Sequence, residues 1–550
     1  MATPIRQLRG TAAENDATTW PQGVLTIDET NNDIRVHDGV TEGGHSILDR
    51  AFAPDGSITD VKVADGSRLQ LATISFPTRS AMKQFAVSAS LSNASVLLTE
   101  AGREGYFVLR SGSAPMADTQ EGIYVVSDTA GYYWERIYAP ARVPNVRAFG
   151  ARLDGSTDDS AAIQGAIDVV GEAFIPWTTT GFRAGNIDIT PSQRHRIRAE
   201  RKPVWRLGPG HACAIRVRPS AVAESYAHID QFIFDGSAAP ATSGAILINT
   251  SAGIVSGLRC NGLVAKDCGF AYKEEDSASN FVVDMKFGDV LCFYPRGRQI
   301  YSRRSRGFFV WNDIKVDNTY NVAGSRPRVT WNSIYFGDLL GLDFNAMDVV
   351  GEVPGSPNNL SYQASAVGIV IDGIETSGRG SVYGRRLLVD NTCGPAIQIR
   401  NVFNVEIELI QAYSNLGTAI EMANVRRSSL SKIKTVGSKG VTNAAAGAHG
   451  LTASGCAYLL LDQVESEGNT GTGVLLNGCD DCSVSQGYAV DNTGYGFYDE
   501  NGNRNRRINI TARGNTAGSL FQTGGSNATY SWTPASGTPT ASTIGAATVP

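Results

Sequence analysis

The sequence predicts an all-β protein whose body is a right-handed parallel β-helix, preceded by small β-rich attachment and capping domains. Two observations predict it: an apolar position that recurs about every 23 residues in the C-terminal half, and asparagine and glycine turns with the same period. The repeated apolar position is occupied by Ile397, Ile420, Leu451, Val474 and Phe497. The longer step before Leu451 contains a small-residue insertion, VTNAAAGA.

The length and pattern of this unit distinguish it from other repeat architectures. Each unit carries a second apolar site, such as Ile508 and Ile510, and turns begin at Asn469, Asn492 and Asn515. Such a unit is too short for a propeller blade, lacks helical periodicity and lacks the frame of a leucine-rich repeat. Coils stacked about 4.8 Å apart explain it best, because residues one period apart then lie above each other. We expect a β-helix over residues 143–520, most regular after 390.

The residues in front of the β-helix predict three segments. Residues 1–50 alternate apolar and polar positions between turns, and residues 51–71 are a linker rich in Gly, Ser and Asp. Residues 72–140 predict a small β-rich capping domain, with a helix capped by Thr78 and a hairpin over residues 122–139. A cap is expected because the first coil would otherwise expose an unpaired edge.

Composition excludes several function classes. The chain has 550 residues, of which 42% are hydrophobic and 18% charged, which is typical of an ordered protein. The formal net charge of -5 gives no reason to expect nucleic-acid binding. Six dispersed His, and eight Cys without zinc-ribbon spacing, predict no metal or cofactor. The CxxC pair of Cys479 and Cys482 is expected to be buried structure.

The sequence also gives expectations about cellular location. No apolar run is long enough to span a bilayer, so no membrane insertion is expected. The N-terminal segment MATPIRQLRG lacks the apolar core of a signal peptide. We therefore expect synthesis in a host cytoplasm and export by another route, such as release with a virus particle.

Two segments resemble parts of phage tail proteins. The pattern RGTAAENDA…GVLTIDETNNDIRVHDGVTEGG resembles the N-terminal attachment module of phage tail fibres and tropism proteins. The segment VPNVRAFGARLDGSTDDSAAIQGAID resembles the opening of pectate-lyase-like β-helices: a strand, an Asp-Gly turn, an Asp pair and a helix. We expect Asp158 or Asp159 to cap that helix, with Ile163 and Ile167 over the first coil.

The resemblance implies a phage tailspike that binds and depolymerises a bacterial capsule, exopolysaccharide or lipopolysaccharide. Such proteins are usually homotrimers, here fixed to the phage tail or baseplate through residues 1–50, and the virion tail carries them to the bacterial surface. A non-catalytic receptor-binding or structural tail fibre is the alternative. No long trimerisation domain is visible, and residues 521–550 predict a terminal strand or a tail.

An irregular stretch over residues 280–380 mixes aromatic side chains with arginines. Aromatic faces stack on sugars, and guanidinium groups pair with acidic substituents. We expect the sugar groove to be lined by Tyr301, Arg304, Trp311 and Trp331. Packing between subunits would explain the same composition equally well, whereas nucleic-acid stacking is disfavoured by the acidic net charge.

Glycoside hydrolysis needs two carboxylates, about 5 Å apart for retention or about 6.5–9.5 Å for inversion. Acidic residues follow the aromatic stretch at Asp343, Asp348, Glu352, Asp372 and Glu375. Asp348 lies 24 residues before Asp372, close to one coil, so stacking is expected to bring them together. Asp372, Glu375 and Asp348 are therefore the predicted catalytic residues, with Glu375 as the acid because neighbouring carboxylates raise a pKa.

Two further possibilities remain open from the sequence. Asp284 and Asp289, or acids across a subunit boundary, are the next candidates for the catalytic pair. A polysaccharide lyase would instead need a base beside a uronate and a cation such as Arg304 or Arg379.

Overall fold

The structure is a computed structural model, and it divides the chain into two compact units, Met1–Leu71 and Ala72–Pro550. The residues that it describes are 7–10, 13, 17, 19, 24–28, 33–37, 40, 42, 45–46, 74–138, 143–189, 195–219, 227–251, 253–275, 280–304, 306–317, 333–351, 366–373, 380–437, 447–524 and 528–534. Among them, no helix combines the length and the apolar composition needed to cross a membrane.

The first unit contains a small sheet of four described strands. These are β1 (Gln7–Gly10), β2 (Leu25–Asp28), β3 (Asp33–Val36) and β4 (His45–Ser46), paired in that order. Strands β2 and β3 are antiparallel, as the alternating pattern and its Asn-Asn turn predict. The expected linker, residues 51–71, lies outside the described residues.

The second unit begins with a capping domain of one helix and a five-stranded sheet. Its elements are β5 (Ser75–Phe76), α1 (Arg79–Gln84), β6 (Ser95–Leu98), β7 (Gly105–Ser111), β8 (Tyr124–Val126) and β9 (Tyr132–Arg136). Thr78 caps α1 as predicted, because its hydroxyl oxygen accepts the amide of Ala81 at 3.1 Å. The predicted hairpin is present as the antiparallel pair β8 and β9.

The body of the second unit consists of helix α2 and short strands connected by turns. Helix α2 spans Ser160–Val170 and follows a 3₁₀ turn at Val146–Phe149. The strands are β10 (Glu172–Ile175), β11 (Phe182–Arg183), β12 (Ile187–Ile189), β13 (His195–Ala199), β14 (Val204–Arg206), β15 (Cys213–Val217), β16 (Ala227–Ile229), β17 (Phe232–Asp235), β18 (Gly244–Ile248), β19 (Val255–Ser256), β20 (Leu258–Lys266), β21 (Phe270–Glu274), β22 (Val282–Val283), β23 (Met285–Phe293), β24 (Ile300–Ser302), β25 (Phe308–Asp317), β26 (Ile334–Leu339), β27 (Gly341–Val350), β28 (Ile369–Gly373), β29 (Ser381–Asp390), β30 (Ile397–Arg400), β31 (Asn404–Tyr413), β32 (Ile420–Ala423), β33 (Arg426–Val436), β34 (Leu451–Ser454), β35 (Ala457–Glu467), β36 (Val474–Asn477), β37 (Ser483–Ser485), β38 (Tyr488–Val490), β39 (Tyr495–Glu500), β40 (Arg506–Arg513), β41 (Gly518–Thr523) and β42 (Ala528–Pro534).

Apart from β19 and β22, which form a separate two-stranded sheet, these strands form two long parallel sheets. Within the described residues, the first sheet has 18 strands in the order β10-β11-β13-β14-β16-β17-β20-β23-β25-β27-β29-β31-β33-β35-β37-β38-β40-β42. The second sheet has 13 described strands in the order β12-β15-β18-β21-β24-β26-β28-β30-β32-β34-β36-β39-β41. Each coil of the chain adds strands to both sheets in turn, which is the parallel β-helix that the repeat predicts.

The predicted interior ladder is confirmed by the strand register. On the second sheet Ile397 pairs with Ile420, Ile420 with Leu451, Leu451 with Val474, and Val474 with Phe497. All five side chains are buried. The ladder continues towards the N-terminus through Ile369, Ile334, Ile300, Tyr272, Ile246, Ile215 and Ile187.

The asparagine turns form a ladder of their own. The side-chain oxygen of Asn492 accepts the backbone amide of Asn469 at 3.0 Å and its side-chain amide at 2.8 Å. Asn515 provides the same two acceptor contacts to Asn492, at 3.0 and 2.9 Å. The 23-residue spacing of these turns therefore reflects hydrogen bonds between successive coils.

Three features of the β-helix differ from the sequence prediction. The coil is longer than 23 residues before Ile397, as in the 35-residue step from Ile334 to Ile369. The inward position of β40 is Arg507 rather than Ile508, which is paired with the outward Ser485. The first sheet also continues past residue 520, the expected end of the β-helix, because β42 pairs with β40; a terminal strand is one of the two expectations for residues 521–550.

Helix α2 covers the first coil as expected. The two aspartates that precede it accept hydrogen bonds from different backbone amides. Asp158 accepts the backbone amide of Ser160 at 3.0 Å. The Asp159 carboxylate instead accepts the amides of Arg152 and Leu153, at 2.7 and 3.0 Å, and braces the preceding turn. Both predicted apolar residues, Ile163 and Ile167, are fully buried.

Candidate functional site

A surface groove crosses neighbouring strands of the first sheet, from β25 to β33. It consists of two adjoining depressions of about 470 and about 380 Å³, which share Arg385 and Glu408. The polar residues of its lining are Asp313, Asp343, Asn345, Tyr383, Arg385, Arg386, Glu406, Glu408, Ser429, Ser431 and Lys432. We refer to this surface as the groove.

Strand alternation explains why polar side chains line the groove. Along β31, Val405 and Ile407 point into the core and are at most 2% exposed. Glu406 and Glu408, on the opposite face of the same strand, are exposed. Successive side chains of a strand point to opposite faces, so one strand stabilises the core and presents carboxylates to solvent.

One row of the groove runs across the strands through Asp343, Tyr383, Glu406 and Ser429. Each is the register partner of the next, on β27, β29, β31 and β33. Tyr383 is 42% exposed, and its hydroxyl accepts a hydrogen bond from Asn404 at 2.8 Å. An oriented, exposed aromatic ring therefore lies between two carboxylates that are roughly 10 Å apart along the row.

A second pair of carboxylates lies along one strand. Glu406 and Glu408 occupy alternate positions of β31, which places their backbones roughly 6.6 Å apart on the same face. Glu408 lies 3.8 Å from Arg385, which also donates to Asn345 at 3.4 Å. Within the described structure Glu406 has no ion-pair partner. The groove therefore combines a carboxylate paired with a cation and one that is unpaired.

The expected stacking of Asp348 on Asp372 is wrong. Asp348 lies on β27 of the first sheet, whereas Asp372 lies on β28 of the second sheet, where its register partner is Arg400. Both oxygens of Asp348 accept from Arg386, at 3.1 and 2.5 Å. The separation of 24 residues corresponds to different walls of the β-helix, because coils in this region exceed the repeat length.

The residues predicted to line the sugar groove do not lie together in the structure. Trp311 is 1% exposed and stacks on Phe287 in the core at 4.1 Å between ring centroids, so its placement in a sugar groove is wrong. Arg304 lies 3.6 Å from Asp338. Glu352, Glu375 and Trp331 lie outside the described residues. The second-choice acids Asp284 and Asp289 do not line the groove.

Asp372 and Tyr301 do share one sheet. Tyr301 pairs in register with Tyr335, and Tyr335 with Val370, two residues before Asp372. The Arg298 guanidinium lies 4.5 Å from the centroid of the Tyr301 ring. Burial, with a smaller contribution from Asp372, raises the pKa of Tyr335. This surface combines aromatic rings with the carboxylates of Asp338 and Asp372, and Asn401 donates to Asp372 at 2.9 Å.

Sequence reasoning missed the acidic residues of β31 and a further carboxylate on the second sheet. Burial raises the pKa of Glu421, which accepts from Gln398 at 2.6 Å. The cause differs from the one expected for Glu375, since burial and not a neighbouring carboxylate raises this pKa. Glu406 and Glu408 carry a signal in the sequence, since NVEIELIQAY alternates acidic and apolar residues, but this segment falls inside the regular repeat that suggests only a scaffold.

The described part of the chain contains no group of three or more His, Cys, Asp or Glu side chains arranged to hold a metal ion. Cys479 and Cys482 are free thiols and fully buried, in agreement with the expected structural role.

Comparisons with known proteins identify similar solved structures. Tailspike protein 2 of the Escherichia coli O157:H7 bacteriophage CAB120 has 12% identity and a TM-score of 0.32, covering 94% of this chain and 60% of that one. The enzymatically active domain of tailspike protein 4 of bacteriophage CBA120 has 13% identity and a TM-score of 0.36, covering 94% and 64%. The A-module of the mannuronan C-5 epimerase AlgE6 of Azotobacter vinelandii has 12% identity and a TM-score of 0.35, covering 72% and 100%.

The chain is a parallel β-helix. No family model matches the sequence, and no curated protein matches it. This chain spans less than two thirds of the length of the two tailspike structures.

Proposed function

We propose that this protein hydrolyses a polysaccharide in the groove, with Glu406 and Glu408 as the catalytic carboxylates. The observation that carries the proposal is the row of exposed side chains in which Tyr383 lies beside Glu406. An exposed aromatic ring offers a stacking face for a sugar. Two carboxylates on the same face of one strand supply the acid and base that glycoside hydrolysis requires.

The spacing of these carboxylates favours an inverting reaction. Their backbones lie roughly 6.6 Å apart on one face of the strand, so side chains that extend in parallel hold the carboxyl groups at a similar separation, within the range that leaves room for a water molecule opposite the leaving group. Glu406, which is unpaired within the described structure, protonates the glycosidic oxygen as its bond to the anomeric carbon breaks. Glu408, paired with Arg385 at 3.8 Å, takes the proton of the water that attacks that carbon from the opposite face.

The source of the polysaccharide follows from the sequence resemblances. The N-terminal segment resembles the attachment module of phage tail fibres and tropism proteins, and the first-coil motif resembles the opening of pectate-lyase-like β-helices. Together they are typical of a phage tailspike, so we propose a bacterial surface polysaccharide as substrate. We further propose a homotrimer carried on the virion and attached to the tail through residues 1–50. Light scattering should give three times the chain mass, and a monomer at micromolar concentration would contradict the trimer.

Carboxylate-to-amide variants test the catalytic assignment. Glu406→Gln and Glu408→Gln should each lower turnover by about 10²–10⁴-fold, while the glycan is still bound, because each removes proton transfer but keeps the side-chain shape. Release of reducing ends from capsules or lipopolysaccharides measures the activity. Glu465→Gln, outside the groove on β35, is the matched control and should cut at the wild-type rate.

The variant Asp372→Asn tests whether the catalytic carboxylates lie in the groove or on the second sheet. The groove assignment is contradicted if Asp372→Asn abolishes cutting while both β31 variants remain active. New ultraviolet absorbance from unsaturated uronates would indicate a lyase instead.

Binding without cutting is the second candidate function. The openness of the groove favours it, since the side chains of Arg385 and Glu408 are 72% and 70% exposed. Such a receptor-binding protein would bind the glycan, lose affinity on Tyr383→Ala, and release no reducing ends.

A further inference from the structure

The row of exposed side chains in the groove continues beyond the groove itself. Ser429 on β33, the last lining residue of the row, is the register partner of Leu460 on β35, and Leu460 is 44% exposed. Tyr458 lies two residues earlier on the same face of β35 and is 58% exposed. We refer to Tyr458 and Leu460 as the distal platform. Along the row, Leu460 lies three strand steps from Tyr383, roughly 14 Å.

Exposed apolar side chains are concentrated on this face of the first sheet. In the described part of the β-helix, the exposed large hydrophobic residues are Trp177, Leu340, Tyr383, Tyr458 and Leu460. The last three of them lie on the one face that includes the groove and the distal platform. A single exposed hydrophobic side chain is ordinary, whereas several on one face indicate a binding surface.

The backbone conformation of Tyr458 is one that tyrosine adopts at a cost. Its φ is 56°, in the left-handed region, which asparagine and glycine adopt more readily than a residue with a bulky side chain. Among the residues that the structure describes, no aromatic ring or guanidinium group stacks on the Tyr458 ring. The ring is therefore disfavoured by its backbone and adds little packing, so a ligand explains its presence better than the stability of the coil does.

The spacing of the apolar groups fits a glycan better than a protein partner. Between Tyr383 and Leu460 the row carries a carboxylate and a hydroxyl group, those of Glu406 and Ser429. Protein partners bind contiguous apolar patches that have their polar groups at the rim. A glycan chain presents apolar ring faces separated by hydroxyl groups. Such a chain matches separate apolar contacts with hydrogen-bonding groups between them.

We propose that the distal platform binds the same glycan chain as the groove, at a sugar unit remote from the cleaved bond. The Tyr458 ring stacks on the apolar face of that unit, Leu460 contacts its edge, and Ser429 bonds to hydroxyl groups of the chain between the two sites. The protein thereby recognises a polymer rather than a single repeating unit. This proposal rests on the function proposed for the groove, which places the chain along the row.

Kinetics on whole and fragmented polysaccharides test the distal platform. The substrates are a panel of capsular polysaccharides and lipopolysaccharides, each used whole and as acid-hydrolysis fragments too short to span roughly 14 Å. Tyr458→Asn should raise KM for whole chains about tenfold and leave kcat unchanged, because it removes a contact remote from the reacting bond. KM for the fragments should not change. The variant should melt at or above the wild-type temperature, because asparagine suits the left-handed backbone.

Tyr106→Asn is the matched control, since Tyr106 is 51% exposed on the capping domain, and it should keep the wild-type KM. Where the wild type binds without cutting, the dissociation constant replaces KM. The proposal is overturned if Tyr458→Asn keeps the wild-type KM for whole chains, raises KM equally for fragments, or melts at a lower temperature. A smaller mass of this variant in light scattering would overturn it in favour of a contact between copies of the chain. A wild type that neither binds nor cuts any glycan of the panel would remove the function proposed for the groove together with this inference.

Discussion

A buried ion pair lies inside the β-helix near its C-terminal end. Asp499 and Arg507 are 0% and 1% exposed, with 2.7 Å between Oδ2 and the guanidinium. Burial raises the pKa of Asp499 and lowers that of Arg507, which means that keeping both charged in the core is costly. Leu461 and Val484 occupy the position of Arg507 in the preceding coils. Arg507 therefore occupies an interior position that is apolar in the two preceding coils.

Removing one member of this pair should be strongly destabilising. Arg507→Met leaves the Asp499 charge buried without its cation, and we expect a loss of about 3–5 kcal/mol in the free energy of unfolding at neutral pH. A carboxylate whose folded pKa is raised favours folding below its unfolded pKa and loses that contribution as pH rises through the folded pKa. The destabilisation should therefore shrink as pH falls. Denaturant unfolding at neutral and acidic pH measures both effects.

A double variant provides the control for the ion pair. Arg507→Met/Asp499→Asn removes both charges and keeps an acceptor for Asn505, which donates to Asp499 at 3.2 Å. It should recover most of the lost stability at neutral pH. Equal destabilisation in the single and double variants would show that Arg507 acts through packing alone.

Individual residues show why the sequence predicted the fold better than the site. Trp311 and Tyr383 are both aromatic, yet the first packs in the core and the second faces solvent. The phase of the two-residue alternation decides between these positions, and coil insertions before Ile397 obscure that phase. Glu406 lies where the phase is clear, but an exposed acid on a regular strand is most often a solvated surface residue.

At the scale of the structural element, coil corners depend on residues that adopt left-handed backbone angles. The corner after the short strands of the second sheet recurs at Asn401, Asn424, Gly455, Gly478 and Asn501, with φ between 53° and 61°. Asparagine and glycine adopt this conformation most readily. A second corner recurs at Gly468, Asp491 and Gly514, directly before the three asparagine turns that are visible in the sequence, with φ between 53° and 65°.

The asparagine ladder should contribute measurably to stability. Asn492 is 1% exposed, and its side chain bonds to Asn469, Asn515 and the carbonyl of Ser466, the last at 3.2 Å. Asn492→Ala leaves buried groups of two coils unpaired, and we expect a loss of about 2–3 kcal/mol in the free energy of unfolding. Thermal and denaturant unfolding would detect it.

Asn503→Ala is the matched control for the ladder, because Asn503 is exposed on the same coils. This change should alter stability by less than about 0.5 kcal/mol. If Asn492→Ala is equally mild, inter-coil side-chain bonds do not stabilise the β-helix.

At the scale of the whole molecule, the capping domain closes the N-terminal end of the β-helix. Arg103 donates to the carbonyl of Phe149 at 2.8 Å, and Ile123 belongs to the same hydrophobic core as Phe149 and Ile163. Gly122 also lies against the Phe149 ring, where an added Cβ would be 2.3 Å from a ring carbon. Cap and first coil therefore share a core, whereas the first unit is compact by itself.

Because the cap shares a core with the first coil and the first unit is compact by itself, the structure predicts which truncations leave a folded protein. A chain of residues 72–550 retains the cap, its contacts with Phe149 and every coil, so it should melt at the full-length temperature and cut glycan at the same rate. A chain of residues 143–550 loses Arg103 and Ile123, which exposes the apolar side chains around Phe149 at the first coil. We expect it to melt at a markedly lower temperature or to aggregate, as measured by calorimetry and light scattering. If the chain of residues 143–550 is as stable as the chain of residues 72–550, the cap is not needed to protect the β-helix. If the chain of residues 72–550 fails to fold, the first unit contributes to the folding of the second.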